Sequence, residues 1–263
     1  MAWHFQFVHH NVFDYDTPAR PMLIDYPHNG KMVPALVQNT KMGIIFIFNR
    51  ETGEPLVPIT EKPVPQIGKV DGEVLSPTQP FPDGMPTLVK HGFDPDEDTW
   101  GFSFIDKWLC SKQAKEFLSG DIYTPVSLQG TIFAPSVGGG PNWGGGAYDP
   151  SSHIMVVPSN RVPTVVKLVP TEEAQVTNSQ KVEIGGKMTF DVAESPYVVE
   201  VQPLISSATG APCSEPPWAA LTAVDIVKKE IVWDVPLGSI KNLAPIPIDW
   251  HLGTPGAGGP LIT

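Results

Sequence analysis

The sequence predicts an all-β chain of short strands and many turns, and three observations carry that reading. Apolar runs of strand length recur from end to end. Glycine and proline, 24 and 30 of 263 residues, are spread throughout rather than gathered in one tract. Helical periodicity is rare.

Taken in order, the strand-like runs are Trp3–Val8, Lys31–Gln38, Gly43–Asn49, Gly130–Pro135, His153–Pro158, Thr164–Val169, Tyr197–Gln202, Leu221–Ile226 and Glu230–Val235. They are rich in Val, Ile, Phe and Trp, and turn-forming Gly, Pro, Asn or Asp bounds most of them. One segment, Asp106–Ser119, reads as a helix that stops at Gly120. Two stretches look like copies of one hairpin: IFIFNRETGEPLVP, turning at Arg50–Gly53, and LTAVDIVKKEIVWDVPLGS, where Asp225 leads into the turn and Trp233 sits in the returning strand. Such hairpins recur in propeller blades with a period of roughly 40–50 residues. Here a Pro-rich excursion, Glu61–Pro95, and a polar insertion, Pro170–Gln180, blur the period. The reading is one propeller-type domain over residues 1–263, with about five blades at most.

Charge narrows the partners. A formal net charge of −11 and the lack of a basic stripe to neutralise phosphates argue against nucleic acid or an anionic membrane as a partner. The N-terminus carries no signal-peptide pattern, and no apolar run is long enough to span a bilayer, so the chain by itself reads as soluble and cytosolic. The two cysteines, Cys110 and Cys213, are too few to fix a compartment; buried free thiols are the favoured reading and a disulfide the alternative.

Four constellations could carry chemistry. In VFDYD, Asp14 or Asp16 could serve as a general base if Phe13 and Tyr15 keep it dry; the bland alternative is turn chemistry before Thr-Pro. Lys41, in QNTKMG, is either a solvated turn charge or an electrophile that steadies negative charge on a carbonyl oxygen. GGGPNWGGGAYDP lacks both the GK[ST] and the G-x-G-x-x-G patterns of phosphate loops, but its glycines allow a close backbone approach and Trp143 offers a stacking face beside Asn142. His9 and His10 are adjacent, so in a strand they face opposite ways and cannot chelate one metal. No metal-ligand spacing appears elsewhere, and no metal site is expected in this chain.

Placed in order, WHFQFVHHNVFDYDTPARP, PALVQNTKMGIIFIFNRETGEPLVP, EKPVPQ, SPTQPFP, DTWGFSFIDKWLC, IYTPVSLQGTIFAP, NWGGGAYDP, VPSNRVP and LGTPGAGGPLIT resemble the pyrroloquinoline quinone (PQQ)-dependent dehydrogenases. Within them the membrane-bound glucose and quinate branch is the nearest match, over essentially the whole chain. The resemblance implies an eight-bladed β-propeller, of which about four to five blades are present here, holding PQQ over calcium or magnesium. It implies that Asp14 is the general base taking the substrate hydroxyl proton while hydride passes to the quinone C5. It also implies that Lys41 hydrogen-bonds the quinone oxygens, and that Asn142 and Trp143 lie on a loop approaching the cofactor. The substrate class is a sugar or cyclic polyol acid, the acceptor ubiquinone, and the place the periplasmic side of a membrane.

This sequence departs from the family's pattern in four ways. Asn11 stands where an acid is usual, Phe13 where Trp is usual, and Pro158 where the glucose branch has an Asn, with Ser159 and Asn160 beside it. Trp3 is expected to open a strand of a blade whose other strands, like the cofactor floor, the cation ligands and a last blade, are expected on missing segments or another chain. The alternatives are a non-catalytic propeller-derived binding or scaffold fragment, and a relic that folds poorly.

Overall fold

The computed structural model describes residues 1–174, 186–192, 194–241 and 249–263. The strands are β1 (Met22–His28), β2 (Lys31–Asn39), β3 (Ile45–Asn49), β4 (Ile59–Pro63) and β5 (Thr78–Pro82), followed by the helix α1 (Phe104–Ala114). Then come β6 (Thr131–Phe133), β7 (Ala147–Asp149), β8 (Ile154–Asn160), β9 (Thr164–Pro170), β10 (Met188–Asp191), β11 (Tyr197–Pro203), β12 (Ala219–Asp225) and β13 (Glu230–Pro236).

Four antiparallel sheets result, in the orders β1-β2-β3, β4-β5, β10-β11-β9-β6 and β13-β12-β8-β7. The chain enters the third sheet at β6, leaves it for β7 and β8, returns for β9 to β11, and closes the fourth sheet with β12 and β13. Residues distant in sequence are thereby brought side by side. That is why a simple blade period was blurred.

β3 shows how the sheets pack. Its sequence, IFIFN, is apolar on both faces because both are covered. Ile45 and Ile47 join β1, β2, Met155, Val157 and Val224 in one cluster. Phe46 and Phe48 join Phe13, Tyr15, Tyr123, Val166 and Val201 in another. β9 divides likewise: Val166 lies in the aromatic cluster, while Val165 faces Cys110, Ala114 and Leu204.

Several expectations need correction. Trp3–Val8 forms no strand; it lies extended with Trp3, Phe5 and Phe7 against Phe46 and Phe48, at centroid distances of 4.8–6.1 Å. Its backbone finds no ladder partner, and side-chain packing holds it instead. The first hairpin copy is also incomplete. After β3 the return makes only an isolated bridge, Phe48 to Pro55, because Pro55 and Pro58 have no N–H to donate. The second copy forms fully as β12–β13, with the Asp225 carboxylate accepting from the Val227 and Lys228 amides. Within the Pro-rich excursion the β4–β5 pair forms. The polar insertion begins at the end of β9, and its residues 175–180 lie outside the described residues.

The helix is shifted, not lost. Ser103 caps it by accepting from the Asp106 amide at 3.1 Å, and Lys115 closes it. Cys110 and Cys213 are joined in a disulfide, with Cα atoms 5.4 Å apart, so the free-thiol reading is overturned. The buried stripe Asp106, Cys110, Ala114 recurs every fourth residue and turns Cys110 onto the loop that carries Cys213.

One ion pair ties the residue after β8 to β13. Arg161 grips Asp234 bidentately at 2.7 and 2.8 Å, and the Thr222 hydroxyl donates to the same carboxylate at 2.6 Å. Burial alone would raise the Asp234 carboxyl; the Arg161 and Thr222 hydrogen bonds outweigh it and hold it below the ordinary value. A depressed folded-state value stabilises the fold above the unfolded pKa, about 3.9 for Asp, and that stabilisation fades as pH falls through the folded value. Thermal melts from pH 6 downward are expected to show a Tm loss at acidic pH that Asp234→Asn reduces. Parallel curves for the two proteins would contradict the assignment.

Candidate active site

Lys41 sits in the tight connection between β2 and β3. The Thr40 amide donates to Ile44 O at 3.1 Å and the Gly43 amide to Thr40 O at 2.9 Å. This loop buries the lysine: its side chain is only 9% exposed, so it is not a solvated turn charge. The ammonium donates to the Asp14 carbonyl at 2.8 Å and to the Asp14 carboxylate at 3.2 Å, and it also pairs with the Asp16 carboxylate. Asp14, Asp16 and Lys41, separated by 27 residues at most, thus form one cluster.

The segment around Asp14 is shaped by alternation and by one hook. Phe13 and Tyr15 turn into the aromatic core, and the Tyr15 hydroxyl donates to Pro135 O at 2.6 Å. Asp14 between them turns outward with φ +58°, a left-handed conformation that few residues other than Gly adopt. The Asn11 carboxamide oxygen accepts from the Phe13 and Tyr15 amides, at 3.3 and 3.1 Å, and stabilises the turn. Phe13 and Tyr15 therefore anchor the segment rather than shroud the carboxylate, whose side chain is 71% exposed.

The glycine-rich loop approaches Lys41 itself. Gly140 donates its amide to Lys41 O at 2.8 Å and accepts from the Asn160 amide at 3.0 Å. A Cβ built on Gly139 would stand 2.6 Å from the Lys41 Cγ, and Gly139 has φ +77°. Gly139→Ala is therefore expected to push the lysine off its carboxylates and cost about 1–3 kcal/mol. Urea unfolding checks this, and an unchanged midpoint would contradict it.

Other sequence-derived candidates fall nearby or apart. The Asn142 amide donates to Gly138 O and its oxygen accepts from the Trp143 amide, so it orders the loop. Trp143, 75% exposed, lines a separate groove of about 1120 Å³ with Arg20, Arg50 and Tyr148. Of the residues near Pro158, Asn160 is tied to Gly256 through its carboxamide nitrogen and oxygen, and the Ser159 hydroxyl is buried without a hydrogen-bond partner among the described residues. His9 pairs with Glu61 at 2.9 Å and His10 meets Val74 O at 3.0 Å, so each has its own partner.

Sequence reasoning underrated Asp16, Asn11 and Gly139. The signal for Gly139 was present in the glycine run, but the partner it approaches is 98 positions away, counted from Lys41 to Gly139, and no local pattern names it. Asn39, two residues before Lys41, has both amide atoms buried and, among the described residues, unpartnered. Such orphaned groups are uncommon, and here they adjoin the lysine loop. Among the described residues no group of three His, Cys, Asp or Glu side chains is placed to hold a metal ion.

The chain is similar to quinoprotein glucose dehydrogenase A of Acinetobacter calcoaceticus, 35% identical over 274 residues, covering 100% of this chain and 33% of that protein. It is likewise similar to the glycerol dehydrogenase large subunit of Gluconobacter oxydans (33% identical, 99% and 37% covered) and to the quinate/shikimate dehydrogenase (quinone) of Acinetobacter baylyi (32% identical, 99% and 33% covered). It spans about a third of the length of these relatives, from 33% to 37%. The profile of the PQQ glucose/ethanol/alcohol dehydrogenase β-propeller domain matches residues 1–263, and the chain belongs to that family of quinoprotein propeller domains.

Proposed function

We propose that this chain supplies the base-and-cation part of the active site of a PQQ-dependent dehydrogenase that oxidises a hydroxyl of a sugar or cyclic polyol acid. The observation that carries the reading is the buried Lys41 held against Asp14, a pairing of an exposed carboxylate with a desolvated ammonium at 3.2 Å. Asp14 is free to accept the proton of a substrate hydroxyl. Lys41 offers a positive charge, pre-positioned by the glycine loop, to carbonyl or carboxylate oxygens of the cofactor. PQQ, when bound, supplies the hydride-accepting chemistry. For such an anionic, oxygen-rich quinone Lys41 would be the donor, exchanging one of its present contacts with Asp14 or Asp16, whereas calcium or magnesium ligands are not assigned to the described residues.

The working unit is a larger propeller. β13 is exposed along its length, with Ile231, Val232, Trp233 and Val235 outward, and a free apolar sheet edge of this kind is what further blades would cover. Those blades, on this or another polypeptide, would complete the wall around Asp14 and keep it dry. The disulfide supports an oxidising compartment, in line with a periplasmic site and ubiquinone as acceptor. Among the described residues no helix is long and apolar enough to cross a membrane.

Dye reduction by the chain joined to the complementary blades of a relative, with PQQ and calcium, tests the reading against glucose, glycerol and quinate. Turnover of at least one, dependent on PQQ, is expected. A folded chimera that is inert with all three would favour the scaffold reading instead.

A further inference from the structure

The turn that carries Lys41 is buried throughout, with Thr40, Lys41 and Met42 1%, 7% and 0% exposed, so its carbonyls need donors from inside the protein. Each finds one. Thr40 O accepts from the Gly43 amide, Lys41 O from the Gly140 amide at 2.8 Å, and Gly43 O from the Leu88 amide at 2.9 Å. Met42 O, one residue on from the lysine, accepts from His91 Nε2 at 2.7 Å. Three of these donors are backbone amides that the fold itself places. The fourth is a side chain, and a substitution can remove it without touching the backbone.

A carbonyl only accepts, so Nε2 carries the ring proton. Burial pushes the His91 pKa below its ordinary value, outweighing the Met42 hydrogen bond and the Asp121 charge, so the ring is neutral at neutral pH and adds no second cation beside the lysine loop. The segment Leu88–Phe93 aims the ring. At its start the Leu88 amide is held by Gly43 O, and Leu88 O accepts from the Arg161 guanidinium at 3.2 Å. At its end the Gly92 amide donates to Ala134 O at 2.7 Å and the Phe93 amide to Gly120 O at 3.1 Å. Gly92 has φ +77°, and a Cβ there would stand 2.5 Å from Gly120 O, so glycine is needed for the segment to pass this close. His91 thus reaches Met42 O from a segment fixed on both sides of it.

We propose that His91 is a positioning residue for Lys41: its ring, bonded to Met42 O, holds the turn in the place from which the ammonium meets Asp14 and Asp16. It acts through Met42 and not on the reacting groups. Its bearing on the cofactor rests on the role proposed above for Lys41, whereas its hold on the lysine is a property of the chain itself.

The test compares the acylation rate of each lysine, read by mass spectrometry on the 263-residue chain, in wild type, His91→Phe, His91→Gln and His91→Asn. Phe keeps a ring and loses the donor, Gln brings an amide N–H to about the reach of Nε2, and Asn falls one methylene short. Lys41, with its side chain 9% exposed, should react slowly in wild type. It should react about three- to tenfold faster in His91→Phe and His91→Asn, the factor one hydrogen bond supplies, and at the wild-type rate in His91→Gln. Lys31, exposed on β2, sets the intrinsic rate and should not change. Thermal melting reports whether each variant is folded; should His91→Phe not fold, the Gln and Asn pair carries the comparison. An unchanged Lys41 rate in His91→Asn, or equal acceleration in His91→Asn and His91→Gln, would overturn the proposal. In the chain joined to the complementary blades of a relative, PQQ binding should weaken in His91→Asn and recover in His91→Gln. If Lys41→Ala leaves PQQ binding intact, the proposed function fails while the acylation rates still decide the role of His91. If Lys41→Ala abolishes PQQ binding and the acylation rates do not move, His91 loses its role and the proposed function stands.

Discussion

Asp14→Asn is expected to lower PQQ-dependent turnover of the assembled dehydrogenase by about 10²–10⁴-fold, the range general-base catalysis supplies, while leaving the fold intact. The substitution is isosteric. Lys41 keeps the Asp14 backbone carbonyl at 2.8 Å and the Asp16 carboxylate, and the Asn11 hook acts on the Phe13 and Tyr15 amides rather than on the Asp14 side chain. What disappears is the proton acceptor. Asp16→Asn removes the second carboxylate on Lys41 and should cost less, because Asp16 steadies the lysine and is not assigned the proton. Turnover and thermal melting of both variants check this. Wild-type turnover in Asp14→Asn, or equal losses in the two, would reject Asp14 as the base.

Replacing Cys110 and Cys213 together by Ser should be strongly destabilising. The disulfide closes 103 residues, for which the chain-entropy estimate is about 4–5 kcal/mol. The loss is local as well as global. Cys110 and Cys213, both buried, tie α1 to the loop that leads to Trp218. Urea unfolding with and without reductant measures the effect. The double variant should behave like the reduced wild type, and a midpoint equal to that of the oxidised protein would contradict the bridge's role.

The strands could be read wherever one period governs both faces. β2, β8, β9, β11 and β12 fall on runs whose Val and Ile content matches covered sheet faces, and β13 on a run of the same composition that is exposed. The reading failed where tertiary structure, not local pattern, decides. Trp3–Val8 has strand composition, but no neighbouring strand supplies backbone partners, so its side chains hold it: the rings, Val8 in the core, and the Trp3 indole N–H donating to Arg50 O. β1 was missed because Pro27 and a Tyr-Pro-His ending hide a strand that pairs along its whole length with β2. The exchange of strands between the third and fourth sheets has no sequence signature, since each crossing, such as the three residues from Asn160 to Thr164, looks like an ordinary turn.

The site was legible in its members and not in its wiring. Asp14 and Lys41 stand out only through the order of the family's motifs; by residue type alone each resembles turn chemistry. Burial of Lys41 depends on Gly139 and Gly140 arriving from a distant loop, and the exposure of Asp14 depends on a left-handed kink that Asn11 holds. The disulfide was missed because 103 residues separate its ends and only the four-residue stripe of α1 aims one toward the other.

The central claim is that the buried, carboxylate-held Lys41 is the cofactor-facing cation of a PQQ site. Its most direct test is an equilibrium titration with PQQ, in the presence of calcium, of the chain joined to the complementary blades of a relative, followed by the quinone absorbance. The account predicts a saturable spectral change that Lys41→Ala abolishes and Lys31→Ala, an exposed lysine on β2, preserves. A wild-type chain that leaves the quinone spectrum unchanged, or a Lys41→Ala chain that shifts it equally, would contradict the account.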